Sequence, residues 1–250
     1  MAQNTGNARN ILVGASPLFL STTDVTSADY ILSAPAGEAQ TPVVGKNKTV
    51  PAFVAGKSYT DSLNEVDHAT QPSSTSDATK GAFYRNVGFT NNGLQITYNP
   101  SYGSVTVDQL LDTAKLFKES MEVMIATEMA EGTLENVLAV FGQSSSTLDD
   151  GSEADSKQLG LAAGALGQAP TERQLIAVGQ APTSTASGAA LTKTERVYYA
   201  RRVLSVQQSQ FSLARNAAST FPVTFRLLPS GMAGMDGSEY GFIVDRVLEA

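Results

Sequence analysis

The sequence contains no cysteine and a single histidine, and these two shortages exclude whole classes of chemistry. Without cysteine the chain has no disulfide framework and no thiolate metal site, and one histidine cannot supply the imidazole cluster of a zinc centre. His68 is not accompanied by an activated-nucleophile pattern such as Gly-x-Ser-x-Gly, so we interpret it as a polar loop residue. The composition predicts no catalytic residues, no metal ligands and no cofactor, and we expect the protein not to be an enzyme.

Positive charge is also scarce, because 17 bases stand against 24 acids for a formal net charge of -7. A protein that binds nucleic acid non-specifically by neutralising its phosphates needs clustered lysine and arginine, so this balance argues against that mode of binding. A partner that is repelled, or that slides past, is compatible with it. No apolar run reaches the ~18 to 20 residues of a membrane span. The run from Ile11 to Leu20 is interrupted by Gly14, Ser16 and Pro17, which favours a strand over a signal peptide. We therefore expect a chain that stays in the cytoplasm where it is made.

The chain is predicted to form one domain over residues 1–250, with two regions poor in large apolar residues. Long loops are expected at about 34–80, and an inserted arm is expected at about 143–190. The arm encloses one apolar run, Arg173 to Val178. An insertion of this length in a compact domain is more often a functional arm than an idle connection. We expect these regions to be arms, lids or partner contacts.

Alternating apolar and polar residues predict strands along most of the remaining chain. They fall within residues 94–98, 119–129, 196–213, 221–227 and 240–247. Asn92-Gly93 supplies the positive φ angles of a tight turn, and the alternation that follows it predicts either a hairpin there or the start of a half-buried strand. The last fifty residues are predicted to form a meander of antiparallel strands.

Helical periodicity is limited to two segments. Thr133 is a suitable N-cap, and an apolar stripe at residues 134, 137, 138 and 141 predicts a short helix that ends at Gly142. A second helix is predicted from Val107 to Lys118, because its acids lie near the start and its lysines near the end. The predicted fold class is mainly β with one or two helices.

Three acids, Glu128, Glu131 and Glu135, have the spacing of one helical face and therefore raise the question of a metal or acid–base site. Gly132 interrupts them, so we predict that the first two belong to a strand end and a turn, and that Glu135 lies in the first turn of the helix. A second acidic cluster runs from Asp149 to Asp155. It is interpreted either as a solvated loop or as a calcium loop.

Charge of opposite sign is segregated along the sequence. Residues 105–141 hold seven acids and two bases, whereas residues 193–226 hold six bases and one acid. These are either solvated faces or complementary surfaces that meet between copies of the chain.

Four segments together resemble the major tail tube proteins of long-tailed, siphovirus-like bacteriophages. They are ILVGASPLFLS at residues 11–21, YRNVGFTNNGLQITYNP at 84–100, VTVDQLLDTAKLFKESMEVMIATEMAEGTLENVLAVFG at 105–142 and FPVTFRLLPSGMAGMDGSEYGFIVDRV at 221–247. The likeness covers about half of the chain in the right order, and residues 143–190 have no counterpart in it.

The resemblance implies an antiparallel β-sandwich or barrel-like tail tube protomer with flanking helices and long loops. It implies six-membered rings that stack into a hollow tube, with inner strands pairing into a lumen wall and loops bridging successive rings. The expected partners are other copies of the chain, the tape measure, terminator and distal tail proteins, and DNA that crosses the lumen without specific binding. The expected location is the virion tail, assembled in the host cytoplasm without a membrane. The candidate lumen or inter-ring charges are Glu122, Glu128, Arg201 and Arg202. An acidic wall would repel phosphates, so DNA would not adhere in transit.

Other functions remain open at this stage. A phage head decoration protein or tail terminator protein would lack catalytic residues as well. A secreted adhesive or carbohydrate-binding β-domain would use a calcium loop at Asp149 to Asp155. An enzyme is the remaining alternative.

Overall fold

A computed structural model describes residues 16–21, 84–106, 112–150, 156–167, 170–182, 194–207, 209–211, 215, 219–229 and 237–247. The loops predicted at about 34–80, His68 and the first half of the apolar run from Ile11 to Leu20, residues 11–15, lie outside these residues. The strands are β1 (Leu18–Ser21), β2 (Tyr84–Asn86), β3 (Thr90–Thr106), β4 (Thr113–Met129), β5 (Leu148–Asp150), β6 (Lys157–Leu159), β7 (Arg173–Gln180), β8 (Thr194–Ser205), β9 (Phe221–Leu227) and β10 (Gly241–Val247). One α-helix, α1 (Leu134–Val140), and one turn of 3-10 helix (Ser145–Thr147) complete the described elements.

Eight strands form one antiparallel sheet in the order β2-β1-β7-β8-β9-β4-β3, with β10 paired to β8. Strands β5 and β6 form a separate small hairpin. The class is therefore mainly β, as predicted. The described strands do not close into a barrel. Residues of β1, β4, β7, β8 and β9 pack into one apolar core together with α1, which gives a sandwich-like arrangement.

The middle of the sheet is buried on both faces. All four residues of β1 and the first six of β7 are buried, including the polar Gln174. Strand β7 contains the apolar run that the predicted arm at about 143–190 encloses, so this part of the arm lies inside the main sheet. Within the described residues, an arm is thus confined to 143–172.

Strand β8 divides the sheet into two branches. Residues 194–200 pair with β10, whereas residues 203–205 pair with β9 on the same edge. Strand β7 occupies the opposite edge of β8. The three predicted strands in this region are confirmed, but the meander is wrong, because β10 returns to β8 instead of pairing with β9. The β9-β4-β3 branch packs over the core, and the Tyr240 hydroxyl donates to the Met121 carbonyl oxygen at 3.2 Å.

Strands β3 and β4 form a hairpin with 17 residues in each strand. Asn92 and Gly93 do have positive φ, at 60° and 67°. The chain does not reverse there, so the hairpin alternative is wrong, and the strand alternative is confirmed in that residues 94–98 lie within β3. Asn91 pairs with Glu128 and Gln95 pairs with Ala126, which leaves three β3 residues opposite Thr127 alone. Asn92-Gly93 therefore forms a bulge, and the Thr127 hydroxyl fastens it by donating to the Gly93 carbonyl oxygen at 2.9 Å.

The helix predicted from Val107 to Lys118 is wrong for its described part, since residues 113–118 belong to β4. Residues 107–111 lie outside the described residues. The charge pattern that suggested a helix contributes only a few tenths of a kcal/mol per pair. Continuous pairing with residues 102–106 of β3 outweighs that preference.

Helix α1 is confirmed, including both of its ends. The Thr133 side chain accepts from the Asn136 backbone N–H, and Gly142 takes φ 63° after the last turn. The N–H groups of Gly142 and Gln143 donate to the carbonyl oxygens of Ala139 and Leu138, as in a Schellman ending. The buried face differs from the predicted stripe, because Phe141 is exposed and Asn136 is buried.

Candidate assembly surfaces

The three acids at residues 128, 131 and 135 each contact a different partner. Glu128, at the end of β4, accepts from the Asn91 side chain at 3.2 Å. Glu131 accepts from the Phe89 backbone N–H at 3.0 Å. Glu135 lies in the first turn of α1 and pairs with Lys157 of β6 at 2.7 Å. The prediction that Gly132 separates a strand end from a helix start is confirmed.

The titration behaviour of Glu135 also argues for a structural role. The hydrogen bond from Lys157 lowers the pKa of the Glu135 carboxyl below its usual value. A carboxyl that works as a general acid near neutral pH needs its pKa raised instead. Glu135 therefore fixes the β5-β6 hairpin to the helix and is not poised for proton transfer.

Asn136 holds the helix to its surroundings, and the sequence analysis missed it. Its side chain is fully buried and accepts from Arg85 Nη2 at 2.6 Å. Its amide nitrogen donates to the carbonyl oxygens of Val87 at 2.9 Å and Glu131 at 2.8 Å. Burial lowers the pKa of Arg85, so this guanidinium depends on a hydrogen-bond acceptor. The sequence does hold one signal for this role: Asn136 is a polar residue three positions before the buried Ala139, so the two share a face of α1.

We expect Asn136→Ala to destabilise the fold by about 2 to 4 kcal/mol, because it leaves one partly buried guanidinium and two carbonyl groups without this partner. Urea unfolding followed by circular dichroism measures the change. Glu135→Gln is the matched control, one residue away in an exposed ion pair, and should cost less than about 1 kcal/mol. Equal losses of unfolding free energy in the two variants would contradict the role given to Asn136.

The basic residues of 193–226 do not form a basic surface in the described part of the chain. Arg196 binds Asp245 through two contacts of 2.5 and 2.7 Å, which lower the pKa of the Asp245 carboxyl. Arg202 binds both carboxylate oxygens of Glu172 at 2.6 Å. Their charges are largely neutralised within one chain. Opposite-sign surfaces between copies are therefore not supported by these two arginines.

Arg201 is fully buried, which rules it out as a surface charge of the chain. Its guanidinium carbon lies 5.5 Å from the ring centroids of both Tyr199 and Phe242. Its Nε donates to the Ser238 carbonyl oxygen at 3.2 Å. Arg201 contacts Ser238 and Phe242 around the start of β10, whereas Arg202 links Glu172, before β7, to the Pro229 carbonyl oxygen, after β9.

Glu122 and Glu128 lie on one face of β4, opposite the buried Val123 and Ile125. Six residues separate them, which is roughly 20 Å along a strand, so they share a face but not a site. Glu122 has Arg226 of β9 at 3.6 Å, which offsets part of its charge. The face, which we call the outer face, is polar and weakly acidic. It contains Gln95, Thr97, Asn99, Glu122, Met124, Ala126, Glu128, Thr224 and Arg226.

The far half of the β3–β4 hairpin stands clear of the core. This projecting half, residues 101–106 and 113–120, is exposed except for the half-buried Gly103. Six paired residues extend it by roughly 20 Å. The Phe117 ring lies where a Gly103 side chain would be, which fixes the register of the two strands. The hairpin also carries exposed apolar side chains at Tyr98, Tyr102, Val105, Leu116 and Phe117.

Two long strand edges are unpaired in the described part of the sheet. Strand β3 pairs only with β4, and β10 pairs only with β8. The unpaired edge of β3 is 17 residues long and that of β10 is seven. Natural proteins cover or shorten such edges unless another chain pairs with them. The hairpin and these two edges are the candidate assembly surfaces.

Within the described ranges, no three His, Asp or Glu side chains come together as metal ligands. In the same ranges, no helix has the length and apolar character needed to cross a lipid bilayer. The second acidic cluster is described only at Asp149 and Asp150, on β5, so the calcium loop stays an untested alternative.

No protein-family model matches the chain, and no curated protein matches it. The geometry of the surfaces described above therefore carries the functional argument.

Proposed function

We propose that the chain is a structural virion protein that assembles into stacked, six-membered rings and forms the tube of a long phage tail. The observation that carries the proposal is the β3–β4 hairpin. A 17-residue strand with an unpaired edge and a half that lies away from the core is costly to leave exposed. Such an element is retained where a second copy covers it, so the molecule favours assembly by repetition.

The two unpaired edges support rings in particular. They belong to different strands, β3 and β10, so pairing one with the other in the next copy is a head-to-tail contact. Head-to-tail contacts close into rings when the rotation between copies allows it. The number six comes from the resemblance to tail tube proteins. The projecting half would then reach the neighbouring ring, as the long bridging loops of that resemblance do.

The outer face is the proposed lumen wall. It is polar, and Glu122 and Glu128 lie on it at roughly 20 Å spacing. Repetition around a ring would multiply these charges, and a wall of one sign repels DNA phosphates. DNA would then pass without adhering, although Arg226 offsets part of the acidity.

We expect Glu122→Lys with Glu128→Lys to slow DNA ejection by about 10-fold or more, because the wall would attract phosphates. Timed DNA release from purified particles measures the rate. The double Gln variant removes the negative charge without adding positive charge, and it should give an intermediate rate. Unchanged ejection through tails of normal length would remove these two residues from the wall.

Electron microscopy of the purified chain tests the function itself. Stacked rings or tubes with an open central channel are expected. Small closed oligomers would instead favour a head decoration or tail terminator protein. A monomer whose thermal stability rises with calcium would favour the adhesive β-domain.

A further inference from the structure

An apolar groove lies between the free strands β3 and β10, on the core side of the sheet. We call it the β3–β10 groove. It has a volume of about 310 Å³, and its walls include Ile96, Tyr98, Met121, Tyr198, Phe242 and Ile243. Ile96, Tyr98 and Ile243 are 44%, 58% and 61% exposed, because the described chain does not extend over them. Glu239 is the one charged residue among those that line it.

The described part of the chain also has an exposed apolar loop. Residues 160–167, the leucine loop, read GLAAGALG and carry no charge. Leu161 is 72% exposed and Leu166 is fully exposed. The loop is nevertheless held in place, because the Gln143 amide both donates to and accepts from the Ala162 backbone at 3.3 Å. The Gly160 N–H donates to the Thr147 carbonyl oxygen at 2.7 Å.

We propose that the leucine loop of one copy inserts Leu161 and Leu166 into the β3–β10 groove of a second copy. The inference rests on the proposed self-assembly, since it needs a second copy. A dry cavity of about 150 Å³ holds a six-carbon ring, so a groove of twice that volume has room for two leucine side chains. The alanines and glycines around them keep the loop thin enough to approach the groove.

Charge distinguishes this occupant from the projecting half of the hairpin. That half also has exposed apolar residues, but Lys115, Lys118 and Glu119 lie among them. The leucine loop and the groove are both nearly uncharged, as the centres of protein interfaces are. Since the groove and the loop are different surfaces of one molecule, their contact is head-to-tail and can repeat from copy to copy.

The absence of native cysteine allows a direct test by cross-linking. Leu166→Cys and Tyr98→Cys are made in separate chains, mixed, assembled and oxidised. We expect a covalent dimer in the mixture, at least about 10-fold more abundant than in either chain alone. Gln158→Cys mixed with Tyr98→Cys is the matched control, because Gln158 is exposed on the neighbouring β6 and should not reach the groove.

The outcomes separate this inference from the proposed function. Tubes that give no more dimer than the control would overturn the leucine contact and leave the tube function standing. A dimer in small oligomers that never form tubes would support the contact and overturn the tube function. If Leu166→Cys alone gave as much covalent dimer as the mixture, the contact would also be overturned, because two leucine loops would then meet.

A second variant measures the energetic effect. Leu161→Asp with Leu166→Asp should raise the concentration needed for assembly by about 10-fold or more, because the charges would have to enter an apolar groove. Both leucines are exposed, so the substitutions should leave the stability of the folded chain unchanged, which a thermal melt verifies. An unchanged assembly concentration would count against the proposal.

Discussion

A chain in which residues 102–119 are replaced by Asn-Gly is expected to fold normally and to lose assembly. Ser101 and Ser120 are direct partners across the hairpin, so a two-residue turn can join them. The described residues among those removed, 102–106 and 112–119, are exposed apart from the half-buried Gly103, and they lie away from the core. The melting temperature should therefore stay within a few degrees, while every contact made by the projecting half disappears.

Assembly should then need a concentration at least about 100-fold higher, equivalent to about 2.7 kcal/mol per added copy. Light scattering against concentration gives the threshold, and electron microscopy shows the product. Tyr102→Ser with Leu116→Ser is a milder companion that keeps the hairpin and should give a smaller shift. Tubes of normal length at the normal concentration would show that the hairpin is not an assembly surface.

Gly241→Ala is expected to destabilise the chain by about 3 kcal/mol or more. Gly241 has φ 141°, a backbone conformation that other residues rarely adopt, and a side chain there would overlap the Tyr199 carbonyl oxygen. That oxygen belongs to β8 and cannot move without disturbing the sheet. The substitution would separate the start of β10 from β8, and with it one wall of the β3–β10 groove.

Chemical unfolding of Gly241→Ala and Gly179→Ala side by side provides the measurement. Gly179 lies in β7, and a side chain there would meet its neighbours at ordinary contact distances of 3.7 and 3.9 Å. Gly179→Ala should therefore stay within about 1 kcal/mol of the unchanged chain. Similar losses of unfolding free energy in the two variants would show that the close approach of Gly241 to the Tyr199 carbonyl oxygen has no special importance.

Local signals in the sequence were enough to predict β9, much of β4, β8 and β10, and α1. The alternation along 119–129 and 221–227, the Thr133 cap and the Gly142 ending all depend on neighbouring residues. The positive φ angles at Asn92-Gly93 are equally local. Whether such a pair reverses the chain or forms a bulge depends on which strand lies alongside. Residues of β4 pair with β3 both before and after Asn92-Gly93, and these β4 residues lie some 35 positions further along the chain.

The candidate site could be predicted less well, because charge along a sequence does not reveal its partners. The partner of Arg202 is Glu172, thirty residues earlier, and Asp245 lies 49 residues after Arg196. Burial of Arg201 between two aromatic rings depends on β10 joining β8. The strand over 119–129 was predicted, and its alternation, a local property, puts Glu122 and Glu128 on one face of β4.

The internal pairing of the arginines has a consequence for the response of an assembled particle to salt. Dissolved ions weaken attraction between exposed charges, and their effect is strong beyond about 8 Å at physiological ionic strength. Arg196 and Arg202 hold their carboxylates within a single copy, so these two ion pairs would not link copies. The proposed contact between the leucine loop and the β3–β10 groove is apolar and would keep its strength as ionic strength rises, whereas contacts through the projecting half, which carries Lys115, Lys118 and Glu119, would weaken in salt.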